Sequence, residues 1–277
     1  PIFLDISREN FGLNLDKLRD VSGVAAVIAV HAYGVPCKIV ELEAYCAKKG
    51  IIVIEDMAVA QGATINAKPV GSFGSISVVS FGAGKIIDAG GGGAVLTNDI
   101  ELYKALVDYD LQLPVCEDGF WQSISELGGY HTQLYNDVYL TREYSQLPGL
   151  FKQRAIEVGP SFMHRFRLEL ESRIDEKLKF LTATIHKRRE NAQYLFETFC
   201  GYEDIGIYPF QFPDGSVPWR FNLLIDKHRD QLLRSLLDSK MKISSWYPSV
   251  DLFFEHRPQS QVKTPVSDDI SSKILNI

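Results

Sequence analysis

The N-terminal part of the chain alternates short, wholly apolar runs with segments in which apolar residues recur every three to four positions. Strands are predicted for the apolar runs at residues 1–5, 24–31, 51–56, 75–81 and 93–99. Helices are predicted between and after them, at residues 14–21, 37–50 and 99–107. Apolar strands that alternate with helices are typical of a parallel or mixed sheet covered on both faces. The pattern therefore predicts an α/β fold.

The pattern changes after residue 108. An irregular excursion over the surface, or a lid, is predicted for residues 109–160, and one long helix for residues 166–199. After a connection rich in Pro and Gly, the sequence predicts a strand, a helix and a strand at residues 219–225, 229–240 and 242–248. We therefore expect a large domain, a connecting helix and a small C-terminal α/β domain, at residues 1–165, 166–200 and 201–277.

Composition excludes several classes of protein. A formal charge of −6 over 277 residues leaves little positive surface for nucleic acid or an anionic membrane, so neither is expected as a partner. The apolar runs are too short to span a bilayer. The four cysteines contain no CxxC pair, and the histidines show no metal-ligand spacing. A cytoplasmic protein without a metal is expected.

Polar side chains cluster where the predicted strands end. His31 follows one strand, Glu55 and Asp56 end the next, and Ser80 ends a third, with Lys85 shortly beyond it. In open α/β sheets, ligands bind beyond the strand ends. These residues are therefore the first candidates for a functional site.

Lys85 lies in the stretch SFGAGKIIDAGGGGAV, residues 80–95, between a strand and four consecutive glycines. So many glycines are expected where the backbone turns unusually or where a ligand approaches it closely. A nucleotide-triphosphatase phosphate loop is excluded, because Val79 stands where it needs Gly and Ile86 where it needs Ser or Thr. The dinucleotide-binding fingerprint also fails, because its third glycine is missing.

Lys85 and Asp56 together have the chemistry that pyridoxal phosphate requires. A lysine forms the Schiff base with this cofactor, and a carboxylate keeps its pyridine nitrogen protonated. Such a lysine needs its pKa lowered from ~10.4 to about 7–8 by burial and neighbouring charge. Roles without chemistry stay open for both residues at this point: a lysine after a strand is commonly solvated, and a strand-end aspartate commonly forms a turn.

A family resemblance adds to this pattern. The stretches that carry it are PIFLDISRENFGLNLDKL, AVIAVHAYGVPCKIVELEAYCAKKGIIVIEDMAVAQGA, KPVGSFGSISVVSFGAGKIIDAGGGGAVLTND and WYPS. They resemble the DegT/DnrJ/EryC1/StrS family, which are pyridoxal-phosphate sugar aminotransferases of fold type I. The resemblance is good over residues 1–108 and weaker over 165–277. It implies an aspartate-aminotransferase-like fold with a mostly parallel sheet in the large domain, a smaller C-terminal α/β domain, and a homodimer.

The resemblance also implies roles for individual residues. Lys85 would form the Schiff base and move the proton, Asp56 would pair with the pyridine nitrogen, and Ser80 would contact the cofactor phosphate. The implied reaction transfers an amino group, commonly from glutamate, to a nucleotide-linked keto sugar. Sugar dehydratases of the family carry histidine in place of this lysine, so Lys85 favours transamination.

The sequence departs from the family pattern at several points. Val59 stands where the family usually has Gln or His near the cofactor's phenolic oxygen, which makes Gln61 the candidate for a cofactor contact. The helix start that usually supplies a phosphate-binding asparagine is replaced at residues 159–167, where Ser161 and His164 are the candidates. Units that the family has before residue 1 and after residue 277 are absent, so we expect a fragment. A catalytically silent relative that acts as a binding or regulatory module is therefore the alternative hypothesis.

Further residues are candidates for substrate contact. His31 and Tyr33 follow a strand and face the expected pocket, with a packing or turn role as the alternative. Trp219 and Arg220 could meet a nucleotide by stacking or a phosphate by charge. Tyr247 resembles the family's tyrosine on the substrate side.

Overall fold

The computed structural model describes residues 1–115, 147–159, 163–249 and 263–277. Its helices are α1 (Leu15–Arg19), α2 (Ile39–Lys49), α3 (Ile100–Gln112), α4 (Leu147–Val158), α5 (Glu171–Lys179), α6 (Leu181–Phe199), α7 (Arg229–Asp238) and α8 (Pro265–Lys273). Its strands are β1 (Ala26–Val30), β2 (Ile52–Asp56), β3 (Thr64–Ile65), β4 (Lys68–Pro69), β5 (Ile76–Ser80), β6 (Gly93–Leu96), β7 (Ile207–Pro209), β8 (Asn222–Ile225) and β9 (Ile274–Asn276).

The larger sheet has the strand order β1-β2-β5-β6. Strands β1, β2 and β5 are parallel, and β6 is antiparallel to β5, so the predicted mostly parallel sheet is confirmed. Asp56 lies opposite Val30 on one side and Val78 on the other. Because parallel strands end at the same edge, this register brings Asp56 and the end of β5 to one side of the sheet.

One face of this sheet is covered by α1 and α2. Leu18 of α1 and Leu42 of α2 pack with Val27 and Val53 of the strands in one apolar cluster. On the opposite face, Ile28 is 61% exposed among the described residues. Within the described ranges, helices therefore cover one face of this sheet, whereas the apolar strands predict helices on both faces.

A second, antiparallel sheet has the strand order β7-β8-β9. Helix α6 packs on it through Ala192, which shares an apolar cluster with Leu223 and Leu275. A strand was expected at residues 242–248, but only an isolated bridge joins Ser244 to Asn276. That expectation is wrong because β9, near the end of the chain, takes the place beside β8.

Two other predicted elements also differ. Residues 1–5 do not form a strand; instead the Asp5 carboxylate accepts hydrogen bonds from the N–H groups of Val266 and Ser267 at the start of α8. The single helix predicted at 166–199 is broken at Phe180, whose φ of −100° and ψ of 4° are not helical. The break lets α5 and α6 pack on different surfaces, with Ile174 of α5 beside Ile87.

The segment 109–160 is more regular than predicted where the structure describes it. Helix α3 runs to Gln112, and α4 occupies Leu147–Val158. Residues 116–146 of the predicted excursion lie outside the described residues. The division of the chain into three domains stays a prediction.

A buried carboxylate, Glu55, organises the end of β2. Its Oε1 accepts hydrogen bonds from the N–H groups of Phe73 and Gly74, both at 2.6 Å. Its Oε2 accepts from Gly71 N at 2.7 Å and lies 3.1 Å from His31 Nε2. The side chain of Glu55 is 0% exposed, so these bonds replace all of its contact with water.

His31 connects this carboxylate to the turn after β1. Its Nδ1 accepts a hydrogen bond from Cys37 N at 3.1 Å, which leaves the proton on Nε2 to be donated to Glu55. Its backbone N–H donates to the carbonyl of Asp56 at 3.0 Å. The imidazole is fully buried, and both of its nitrogens are used inside the protein.

The turn after β1 also receives the segment that leads into the second sheet. Val217 N donates to Gly34 O and Trp219 N donates to Tyr33 O, each at 2.9 Å. Gly34 has φ of +84°, and a Cβ there would lie 1.8 Å from the Val217 carbonyl oxygen. Only glycine fits this approach without displacing the segment.

We predict that Gly34→Ala lowers the free energy of unfolding by about 2–4 kcal/mol, through left-handed strain and the displaced backbone contact. Gly23→Ala is the matched control, because Gly23 has a similar φ of +71° but nothing within 4 Å of the added Cβ. The control should lose about 1 kcal/mol. Chemical denaturation measures both, and equal losses would contradict the close-approach argument.

We predict that Glu55→Gln lowers the free energy of unfolding by about 3 kcal/mol at neutral pH, because the amide cannot accept all four hydrogen bonds. Burial alone would raise the pKa of Glu55, but the bonds from His31, Gly74, Gly71 and Phe73 outweigh it and hold the pKa below the ordinary value. A lowered carboxyl pKa contributes stability above the unfolded-state pKa, and that stability is lost as pH falls through the folded-state value.

The difference in the free energy of unfolding between wild type and Glu55→Gln should therefore shrink below about pH 4. Glu41→Gln, on the exposed surface of α2, is the control and should change stability by less than about 0.5 kcal/mol. A Glu55→Gln difference that stays constant between pH 7 and pH 3 would contradict the assigned ionisation.

Candidate active site

Asp56 ends β2 and starts the segment that crosses the edge of the sheet. Its Oδ1 accepts a hydrogen bond from Ala58 N at 2.9 Å, which is the turn geometry that aspartate commonly adopts. The carboxylate is partly buried and adjoins Glu55, whose bonds hold the strand end in place. The bond from Ala58 N and the bonds of the neighbouring Glu55 therefore hold Asp56 in place.

Gln61 connects the ends of β2 and β5. Its Nε2 donates to Ser80 O at 2.7 Å and to Ala58 O at 3.1 Å. The residue is 1% exposed, and its Oε1 has no hydrogen-bond partner among the described residues. Ser80 Oγ accepts from Gly82 N at 3.3 Å. Gln61 therefore joins the segment that follows Asp56 to the end of β5 and leaves a buried acceptor.

The loop that carries Lys85 is closed by an aspartate. Asp88 accepts hydrogen bonds from Gly84 N at 2.8 Å and Gly90 N at 2.9 Å, and Gly82 pairs with Gly90. Lys85 N donates to Gly82 O at 3.2 Å. The glycine-rich stretch is therefore an ordered turn that holds Lys85 at its tip.

Lys85 lies in a setting that favours its neutral amine. Burial lowers its pKa, the Asp56 carboxylate opposes this change, and the Arg220 guanidinium adds to it. Its Nζ lies 5.6 Å from the centre of the Trp219 ring. A lysine that forms a Schiff base needs its pKa shifted in this direction.

Trp219 brings the C-terminal part of the chain to this loop. Its Nε1 donates to Gly84 O at 2.7 Å, next to Lys85. The Tyr247 ring stacks on it, with 6.1 Å between centroids and 13° between planes. Arg188 donates to the carbonyls of Pro218 and Trp219 and so fixes the segment from the side of α6.

Two tyrosines complete the site. Tyr33 donates its hydroxyl proton to Trp246 O and accepts from Tyr247 N at 3.0 Å, so it positions the chain that carries Tyr247. Burial and then the Asp56 charge raise the pKa of Tyr247 to about 12, although Arg220 opposes them. Tyr247 is therefore a neutral hydroxyl near Asp56 at physiological pH.

The structure brings most of the predicted residues together. The charges of Asp56 and Arg220 both act on the pKa of Lys85, and the same two charges act on the pKa of Tyr247. For His31, the structure favours a packing role over substrate contact, because both of its ring nitrogens form hydrogen bonds within the protein. Ser161 lies outside the described residues.

Sequence reasoning missed Asp88 and Arg188 as positioning residues. Asp88 carried a usable signal, because an aspartate two residues before a glycine commonly accepts from that glycine's N–H. The role of Arg188 depends on a contact with residues 218 and 219, which no local pattern reveals.

The residues fit pyridoxal phosphate. The site has a lysine with a lowered pKa, a carboxylate electrostatically coupled to it, and the Ser80 hydroxyl at a strand end. Gln61 Oε1, for which the described ranges offer no hydrogen-bond partner, is a buried polar atom that a bound group could satisfy. Within the described ranges, no group of three His, Cys, Asp or Glu residues could hold a metal ion. No helix in those ranges is both long and apolar enough to cross a membrane.

Comparison with known proteins places the chain among aminotransferases. A family model described as the DegT/DnrJ/EryC1/StrS aminotransferase family matches residues 1–136. GDP-perosamine synthase of Vibrio cholerae is 39% identical over 258 residues, which cover 89% of this chain and 68% of that protein. GDP-perosamine synthase of Escherichia coli O157:H7 is 32% identical over 138 residues, which cover 49% of this chain and 37% of that protein. The chain thus spans from about a third to two thirds of the length of these relatives.

The fold agrees with this placement. The crystal structure of the aminotransferase TlmJ from Streptoalloteichus hindustanus superposes with a TM-score of 0.75 at 19% identity, covering 100% of this chain and 67% of that chain. The predicted fold of type I pyridoxal-phosphate enzymes is confirmed. By sequence and fold, the chain belongs to the DegT/DnrJ/EryC1/StrS aminotransferase family.

Proposed function

We propose that the protein is a pyridoxal-phosphate-dependent aminotransferase that moves an amino group from glutamate to a nucleotide-linked keto sugar. The observation that carries the proposal is that β2, which ends in Asp56, pairs with β5, whose following loop holds Lys85. The Asp56 charge also acts on the pKa of Lys85, which burial lowers. Pyridoxal phosphate is the cofactor of this family. The relatives named GDP-perosamine synthase and, in Acidithiobacillus ferrooxidans, UDP-N-acetyl-3-dehydro-alpha-D-glucosamine 3-aminotransferase support a nucleotide-linked sugar as acceptor.

When bound, pyridoxal phosphate supplies an electron-accepting ring that stabilises negative charge at the substrate carbon. Asp56 would keep a proton on the pyridine nitrogen, because an ionised carboxylate next to that nitrogen favours its cationic form. Ser80 Oγ and the adjoining backbone would hold the phosphate.

Lys85 has two tasks in this proposal. Its amine must be neutral to attach to the cofactor, and burial and Arg220 favour that form. The same amine then takes a proton from the donor carbon and returns it elsewhere, which requires a pKa near the operating pH. The Trp219 ring, 5.6 Å from Lys85 Nζ, helps to shield this amine from bulk water.

Two other functions are alternatives to amination: dehydration of the sugar, and binding without catalysis. GDP-4-keto-6-deoxy-D-mannose 3-dehydratase of Yersinia pseudotuberculosis is 28% identical over 86% of this chain, but Lys85 favours amination over dehydration. A catalytically silent relative is suggested by Val59, which is 5% exposed and offers no polar group at its position. The homodimer and the cytoplasmic location remain predictions.

We predict that the purified chain develops a visible absorption band with pyridoxal phosphate, and that borohydride reduction traps the cofactor on Lys85. Lys85→Ala should abolish the band and the adduct, whereas Lys104→Ala, an exposed lysine on α3, should leave both unchanged. Peptide mapping by mass spectrometry identifies the modified lysine. An adduct on any other lysine, or none at all, would refute the assigned site.

The reaction type is decided by the products. With glutamate and either GDP- or UDP-linked 4-keto sugars, we expect 2-oxoglutarate and an amino sugar in equal amounts by mass spectrometry. Loss of water from the sugar without amine incorporation would favour the dehydratase. A cofactor adduct without turnover of either substrate would favour the silent relative.

We predict that Lys85 reacts with formaldehyde and borohydride at a lower pH than an ordinary lysine, because its neutral form is favoured. Asp56→Asn should move the half-point to still lower pH, since Asp56 is the group that raises the pKa of Lys85. Lys104 in the same digest is the internal reference, and mass spectrometry follows both peptides. A shift to higher pH in Asp56→Asn would contradict the coupling of the two side chains.

A further inference from the structure

We propose that Trp219 is a positioning residue: its indole keeps Lys85 in its half-buried place only while the segment that leads into β8 is docked. This segment, residues 215–219, forms a strap between the two sheets. The inference rests on the proposed function, because it assigns a positioning role within the same site. It differs from the sequence-based expectation, in which Trp219 stacks on a nucleotide.

The strap is bonded to three other parts of the fold. The Gly215 carbonyl accepts a hydrogen bond from the first residue of β3, and Val217 N donates to Gly34 O, each at 2.9 Å. From α6, Arg189 Nε donates to Ser216 O at 2.8 Å. The middle of the strap is buried. These contacts give the last residue of the strap a defined position.

The residue before Lys85 is held by its own loop on one side and by the strap on the other. Gly84 N donates to the Asp88 carboxylate at 2.8 Å, whereas Gly84 O accepts from Trp219 Nε1 at 2.7 Å. Gly84 is exposed, so it lies at the outer tip of the loop. Loss of the indole donor would release one of these two bonds.

The residue after Lys85 packs in the same apolar cluster as the strap. Ile86 and Val217 are both buried members of this cluster, and the Trp219 ring packs against it. Lys85 therefore lies between a residue bonded to the strap and a residue that shares its apolar cluster. Because protein interiors are closely packed, displacement of the strap would disturb both neighbours of the lysine.

The Trp219 ring already has an aromatic partner within the protein. The Tyr247 ring stacks on it, with 6.1 Å between centroids and 13° between planes. Tyr33 holds both residues, since its carbonyl accepts from Trp219 N and its hydroxyl accepts from Tyr247 N. One face of the indole is therefore covered, which favours a positioning role over stacking on a nucleotide base.

The position of the loop affects the chemistry of the amine. Lys85 Nζ lies 5.6 Å from the centre of the Trp219 ring, and burial is the largest cause that lowers its pKa. If the indole released Gly84, the tip of the loop would turn toward water, and the loss of burial would raise this pKa toward its ordinary value. An amine with an ordinary pKa is mostly protonated at neutral pH and is a poor nucleophile.

The test uses Trp219→Phe, which keeps an aromatic ring but lacks the N–H donor. Reaction of the chain with formaldehyde and borohydride, without cofactor, measures the pH at which half of Lys85 is methylated, with Lys104 as internal reference. We expect this half-point to rise by about 0.5 pH unit or more, because burial lowers the pKa of a lysine. The expected direction is opposite to that of Asp56→Asn.

Hydrogen–deuterium exchange with mass spectrometry shows whether the effect is local. In Trp219→Phe, amides of residues 80–90 should exchange faster, because the loop has lost a bond to the strap. Amides of residues 215–219 should stay protected, because Val217 N and residue 219 N donate to backbone carbonyls that the substitution leaves in place. Faster exchange throughout the chain would indicate a general structural role and would overturn the proposal.

Thr97→Val is the matched control. It also removes a side-chain donor to a distant backbone carbonyl, because Thr97 Oγ1 donates to Ser75 O at 2.9 Å in the same sheet. It should leave the Lys85 half-point and the exchange of residues 80–90 unchanged. An unchanged half-point in Trp219→Phe would contradict the proposal. A half-point that falls would also contradict it, because the attraction of the ring for the cation would then dominate.

Wild type provides a second test if Trp219→Phe does not fold, which thermal melting by circular dichroism would show. Hydrogen exchange followed by NMR at increasing urea compares Lys85 N–H, bonded to Gly82 O, with Trp219 N–H, bonded to Tyr33 O. We expect the two amides to open together with the same dependence on urea. Opening of Lys85 N–H while Trp219 N–H stays protected would overturn the proposal.

The positioning role and the proposed function fail separately. If borohydride traps no cofactor on wild-type Lys85 but Trp219→Phe raises the half-point and speeds exchange of the loop, the proposed function fails and the positioning role stands. If wild type forms the adduct but the half-point of Trp219→Phe is unchanged, the proposed function stands and the positioning role fails.

Discussion

The rest of the structure depends on one buried carboxylate. Glu55 has no contact with water and accepts four hydrogen bonds, from His31 and from the backbone at Gly71, Phe73 and Gly74. A buried charge without such partners would be costly, so the loop after β4 and the turn after β1 must both stay in contact with the end of β2. Asp56 is the next residue, and its location follows directly from this constraint.

Trp219 then helps to connect the two sheets at the site. Trp219 donates to the carbonyl of Gly84 in the lysine loop and contacts Arg220 and Tyr247 through its ring. Its backbone bonds to Tyr33 at the turn after β1. Residues from distant parts of the chain therefore meet around Lys85, and the proposed chemistry depends on this contact as much as on the lysine.

Much of the larger sheet could be predicted because its signals are local. The apolar runs at β1, β2, β5 and β6 and the helical period of α2 each lie within one continuous segment. The elements that were predicted wrongly depend instead on contacts between residues far apart in the chain. Residues 1–5 are apolar enough for a strand, but Asp5 bonds to the start of α8 instead, and the break at Phe180 reflects two separate packing surfaces.

By itself, the sequence determined the α/β class and the succession of the first strands and helices along the chain. It also predicted that Lys85 and Asp56 lie at one edge of the sheet, because strand ends in such sheets share one edge. Only the tertiary structure decided that both nitrogens of His31 bond inside the protein and that Arg220 reaches the surroundings of Lys85. These facts depend on hydrogen bonds and ring contacts between residues far apart in the chain. Local periodicity carries no information about such contacts.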